Sequence, residues 1–158
     1  MTSEPPQTSP SGDPPREAVT LLYLIKQVEL AIRARLESVT REAGLTVTQY
    51  TALTVLERRP GLTSAELAKN SFVRAQSMSA VTAELLEHGM VTRMRDPSHH
   101  RRQLLTVSST GRDLLVRLRP AVASIEQQMV SALAADDVPD LRRTLHLCRF
   151  ALAGDAPP

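Results

Sequence analysis

Tryptophan is absent from the 158 residues, and tyrosine and phenylalanine contribute two residues each. Sandwiches and barrels of strands rely on aromatic and β-branched side chains, so this shortage, beside abundant leucine, alanine, valine and arginine, favours helices. Cysteine occurs once, as Cys148, which excludes an internal disulfide and a cysteine-rich metal site. A reducing, cytoplasmic setting is the expectation that follows. No stretch approaches the roughly 18 apolar residues of a membrane span. The opening Met1-Thr2-Ser3-Glu4-Pro5-Pro6 lacks the positive charge and apolar run of a signal peptide. A glycine-rich phosphate loop, an HExxH pair, a nucleophile elbow and a cofactor fingerprint are all missing, which argues against an enzyme and for no cofactor.

What is present is the composition of a globular protein, 42% apolar and 23% charged, long enough for one compact domain or two small lobes sharing a core. The formal net charge is only +2, but it is unevenly spread. Residues 57–107 hold eight Lys/Arg against five acids, whereas the remainder holds eleven against twelve. A basic middle third permits a nucleic-acid partner. Five of the eleven prolines fall within residues 1–15, among Ser, Thr, Gly and Gln. That mixture buries too little apolar surface to offset its ordering entropy, so residues 1–15, and likewise 154–158, read as flexible tails.

From about Arg16 to Ala43, the residues Leu21, Ile25, Val28, Ile32, Leu36, Val39 and Ala43 recur every three or four positions, the stripe of a long amphipathic helix ended by Gly44. Thr46 with Gln49 and Thr63 with Glu66 are capping boxes that open two shorter helices on either side of a break at Pro60-Gly61. The first should bury Tyr50, Leu53 and Leu56. After a turn at Asn70 and Ser71, another helix runs from about Arg74 to His88 with Met78, Val81 and Leu85 inward. The period then changes: Val91–Arg95 and Gln103–Val107 read as two strands around the polar run Asp96–Arg102. Ser108 caps a long helix through about Leu133, kinked at Pro120. Asp136 or Asp137 caps a last helix with Leu141, Leu145, Cys148 and Leu152 on its stripe.

The expected fold is mainly α: a winged helix-turn-helix over residues 46–107, carried on a helical lobe made of residues 16–45 and 108–153. The lobe's long helices carry two to three apolar faces that one winged unit cannot cover, which argues for a homodimer. Two short helices joined by a tight turn can set the second in a major groove. Arg74, Gln76, Ser77, Ser79 and Ala80 give that helix a small, polar outer face at its positive end, suited to base edges and phosphates of double-stranded DNA. Glu84 and Glu87 would repel phosphates, so contacts should concentrate in the first two turns. Arg95, Arg101 and Arg102 on the hairpin suit backbone phosphates or a narrow minor groove. A helical protein-interaction module, and a ligand-binding or redox protein without DNA affinity, are the alternatives.

Several segments together resemble the MarR family of bacterial transcriptional regulators. They are Leu62-Thr63-Ser64-Ala65-Glu66-Leu67-Ala68, then Leu85 through Arg93, then Asp96-Pro97 with Arg101, then the Ser-x-x-Gly of Ser108 to Gly111. The resemblance spans roughly residues 16–153. It implies a homodimer joined by the first and last two helices, a pseudo-palindromic operator, repression as the usual outcome, and a small phenolic or lipophilic effector between the lobes. One departure concerns the wing, where the family commonly has a second acid and then an arginine; here His99 and His100 stand at those positions. That ranks Arg101 first for the minor groove and His99 or His100 as phosphate contacts. Two adjacent histidines without further ligands do not make a metal site. Cys148 sits on an apolar stripe and reads as a buried structural thiol. Tyr23 and Tyr50 are candidates to line an effector pocket, with core packing the competing role.

Overall fold

The computed structural model describes residues 19–153, which form six α-helices and one two-stranded sheet. The tails expected at 1–15 and 154–158 lie outside the described residues. The elements run α1 (Leu21–Glu42), α2 (Val47–Arg58), α3 (Ser64–Asn70), α4 (Ala75–Glu87), β1 (Val91–Arg95), β2 (Gln103–Val107), α5 (Ser109–Val130) and α6 (Asp137–Ala153). Helix α1 starts at Leu21 rather than near Arg16, because Thr20 is extended and its hydroxyl accepts from the Tyr23 N–H. Both capping boxes form, at Thr46/Gln49 and at Thr63/Glu66. Helix α5 passes through Pro120 without interruption and ends three residues before Leu133. There the backbone tightens, with Ser131 N–H donating to Gln128 and Leu133 N–H to Val130.

The core belongs to the winged unit. Leu53 and Leu56 of α2, Leu67 of α3, and Met78 and Leu85 of α4 are fully buried. Val91, Leu105, Val107, Leu114, Leu115 and Leu118 close the cluster from the sheet and the first turns of α5. Burial of each such leucine is worth roughly 1.5–3 kcal/mol, which holds three short helices together that would not persist alone. The strands pair antiparallel in the register Val91 with Val107 through Arg95 with Gln103. The helix-breaking Pro60-Gly61 has a second role: Gly61 and Leu62 pair with Leu105, adding a short third rung to the sheet and fastening the hairpin to the α2–α3 link. Gly111 marks a close approach, since a Cβ there would overlap the Met90 carbonyl. Ser108 locks the same junction, donating to the Gly89 carbonyl at 2.7 Å and accepting from Gly111 N–H at 3.0 Å.

The helical lobe behaves differently. Leu21, Leu22, Ile25 and Leu30 of α1, Met129 of α5, and Leu145, Leu147 and Leu152 of α6 are exposed, and no described residue of α6 is buried. Cys148, expected inside, is exposed as well. The spacing that put it on an apolar stripe is correct, but nothing within the chain covers that stripe. No helix among the described residues is long and apolar enough to cross a membrane.

Candidate nucleic-acid interface and effector cavity

Helix α4 projects the surface its sequence suggested. Met78, Thr82 and Leu85 point inward, while Arg74, Gln76, Ser77, Ser79 and Ala80 are all exposed. Arg74 is the N-cap residue, and its side chain makes no capping hydrogen bond, so the guanidinium projects from the helix's positive end. The Ser79 hydroxyl turns back to the Ala75 carbonyl at 3.1 Å, leaving Gln76 and Ser77 as the outward polar pair of the first turn. Glu84, expected only to repel phosphates, has a structural partner: the buried Gln49 donates to it at 2.6 Å.

The hairpin tip is closed by backbone bonds and by Asp96. Asp96 N–H donates to the Arg102 carbonyl at 3.0 Å, Arg102 N–H to the His99 carbonyl at 2.7 Å, and Ser98 N–H to the Asp96 carboxylate at 2.8 Å. The arginines diverge in role. Arg102 reaches back across the winged unit, donating from Nη2 to Glu66 Oε1 at 3.0 Å, with its Nε 3.9 Å from Asp96 Oδ2. Arg95 and Arg101 are exposed and make no ion pair among the described residues, and His99 and His100 lie exposed beside them. Glu66 is held below its ordinary carboxylate pKa, first by hydrogen bonds from the Thr63 backbone and hydroxyl and then by Arg102. Glu66 and Asp96 together hold the Arg102 guanidinium against the winged unit. Sequence reasoning missed the Glu66–Arg102 pair because the two residues lie 36 positions apart.

A cavity of about 620 Å³ opens where α1, α2, the α3–α4 turn, α5 and α6 meet. Ile25, Val28, Ile32 and Leu36 form one wall, Val47, Thr48 and Thr51 another, with Met129 and Leu145 contributed by the last two helices. Its polar groups are few. Arg33 and Glu29 both stand at the lining as an ion pair, Arg33 Nε donating to Glu29 Oε1 at 3.0 Å, and Ser71 is buried with no partner for its hydroxyl. Next to Ser71, Phe72 has a left-handed backbone (φ 57°), costly for a bulky side chain, and is 85% exposed. Its ring borders this cavity and a second cleft lined by Arg59, Lys69 and Arg149. Neither tyrosine is in the cavity lining. Tyr23 is exposed on α1, and Tyr50 lines a separate cleft with Glu57 and Arg119, where burial lifts its phenol above the ordinary pKa of 10.

Comparison with known proteins identifies this arrangement. A MarR family model matches residues 43–102, from the end of α1 to the hairpin tip. The HTH-type transcriptional repressor Rv2887 of Mycobacterium tuberculosis is 30% identical over 123 residues, covering 78% of this chain and 88% of that relative. The chain belongs to the MarR family. A crystal structure of the same mycobacterial MarR protein with p-aminosalicylic acid superposes with a TM-score of 0.69 at 28% identity, covering 82% of this chain and 98% of that one. The structure of that protein with DNA gives a TM-score of 0.67 at 28% identity, with the same coverage. MarR membership places the chain among transcriptional regulators built on a winged helix-turn-helix, not among enzymes.

Proposed function

We propose that this MarR-family chain is a homodimeric repressor that reads a pseudo-palindromic DNA operator and releases it on binding a small aromatic acid. The observation that carries the reading is the exposed first half of α4, polar, headed by a free Arg74, and set beside a hairpin whose Arg95 and Arg101 are unpaired among the described residues. Arg74 and Gln76 read base edges, Ser77, Ser79 and Ala80 allow close approach, and Arg95 and Arg101 take the neighbouring backbone or minor groove. Arg102, engaged by Glu66 and Asp96, holds the hairpin in place and meets phosphates at its edge.

Residues 16–45 and 108–153 join two chains, and the exposed apolar side chains of α1 and α6 support this. A twofold axis then sets the two α4 helices about 34 Å apart, one turn of duplex. The cavity between the lobes suits a flat apolar ring carrying a carboxylate, with Arg33, shared with or drawn from Glu29, as its cation and the Ser71 hydroxyl as its hydrogen-bonding partner. Salicylate and p-aminosalicylate complexes of the mycobacterial relative support that ligand class. A ligand there presses on Ser71–Val73, the segment leading directly into Arg74, and so alters where α4 sits. With chromosomal DNA as partner, the protein works in the cytoplasm.

The test is a titration with the duplex upstream of its own coding sequence at two salt concentrations. Binding through several phosphates predicts a steep loss of affinity with salt. Salicylate should then weaken operator binding, and a Ser71→Ala variant should need more of it. A flat salt response and no preference for the upstream duplex would favour a protein-interaction role instead.

A further inference from the structure

A carboxylate on the reading helix needs a reason, because Glu84 lies on the element that must approach a polyanion. The reason lies across the core. Gln49 is 6% exposed, and both ends of its amide are engaged: Oε1 accepts from Thr46 N–H at 2.8 Å, and Nε2 donates to Glu84 Oε2 at 2.6 Å. Among the described residues it is the only side-chain hydrogen bond between α2 and α4. The capping task by itself does not call for an amide. In the matching box on α3, Glu66 caps Thr63 as a carboxylate and turns its other oxygen to Arg102 of the hairpin. Each box residue thus uses its spare atom to tie its helix to one DNA-facing element, with the charge suited to that partner: an anion for the wing arginine, an amide donor for the acid on α4.

Resting on the DNA-reading function above, we propose that Gln49 is a positioning residue for operator recognition, holding Glu84 so that α4 presents Arg74 to Ala80 at a set angle. The hydrogen bond is charge-assisted and buried at its donor end. Losing it lets α4 tilt about its apolar contacts, so base-specific contacts suffer while phosphate contacts, which tolerate small displacements, persist.

The experiment compares affinity for the upstream duplex with affinity for an unrelated duplex of equal length, in full-length variants whose melting temperatures are measured alongside. Glu84→Ala breaks the bond from the exposed side and removes a charge. Glu84→Gln removes the charge but keeps an acceptor for Gln49. Gln49→Glu keeps the cap acceptor but sets two carboxylates face to face, and the double swap Gln49→Glu/Glu84→Gln restores a donor and an acceptor in reversed order. The expected result is a loss of about tenfold in the ratio for Glu84→Ala and Gln49→Glu. Glu84→Gln and the double swap should stay within about twofold of wild type. Equal ratios for Glu84→Ala and Glu84→Gln overturn the proposal, as does a double swap no better than Gln49→Glu. A wild-type protein with no preference for the upstream duplex overturns the DNA reading itself, before any variant is compared, and this proposal with it.

Discussion

Leu53 on α2 and Leu145 on α6 both sit on apolar helix stripes of similar spacing, yet Leu53 has no exposed surface and Leu145 keeps 47% of its own. The winged unit closes a core within one chain; the helical lobe ends in faces that the chain does not cover. The difference shows that an amphipathic stripe states only that a face will be buried, not by which molecule. It also separates two kinds of stability. The proposed reading surface rests on an internal core, whereas the spacing between two such surfaces would rest on contacts between chains.

Substitutions in the two regions test that contrast most sharply. Leu53→Ala should lower unfolding free energy by about 2–5 kcal/mol in urea denaturation, because α2, α4 and the sheet cannot collapse onto the space left. Leu145→Glu should leave the winged unit folded but weaken self-association at least about tenfold, read by sedimentation at several concentrations. If Leu145→Glu unfolds the chain as Leu53→Ala does, the contrast is wrong and α6 belongs to the same core.

Within the reading surface the expected effects are smaller. Arg74→Ala should cost about 1–3 kcal/mol at the operator and relax sequence preference, while Arg101→Ala should weaken operator and unrelated duplexes alike and shallow the salt slope by about one. Equal loss of discrimination in both variants would mean that the hairpin, too, reads sequence. The smallest effect concerns pH. Glu66 is held below its ordinary value of 4.5 by Thr63 and then Arg102. A depressed carboxylate contributes above its unfolded-state value, and the contribution disappears as pH falls through the lower folded value. Protection factors of the hairpin amides, with the intrinsic pH dependence of exchange divided out, should therefore stay constant from neutral pH down to the carboxylate range and fall only in acid. Glu66→Gln should show the lowered protection at every pH, and wild-type protection that falls well above the carboxylate range would mean that Glu66 is not the group responsible.

Much of this architecture is readable along the chain because it is written in short-range chemistry. A capping box spans three residues, a helical stripe repeats every three or four, and a strand alternates every two. Thr46 with Gln49, Thr63 with Glu66 and the two strands Val91–Arg95 and Gln103–Val107 therefore stand where the residues place them. The outward face of α4 follows in the same way, since burying Met78 and Leu85 forces Gln76, Ser77 and Ala80 outward.

Folding in three dimensions settled a different set of features. Gln49 and Glu84 lie 35 positions apart, and Glu66 and Arg102 lie 36 apart, so no local pattern announces either pair. The pairing of Gly61 and Leu62 with Leu105, the unpartnered Ser71 hydroxyl in the cavity wall and the exposure of Cys148 likewise depend on how elements pack. Secondary structure answers to forces acting within a few bonds, and amino-acid order encodes those directly. Which buried donor meets which acceptor, and which apolar face is left open, depends on contacts between segments that meet only once the chain has folded.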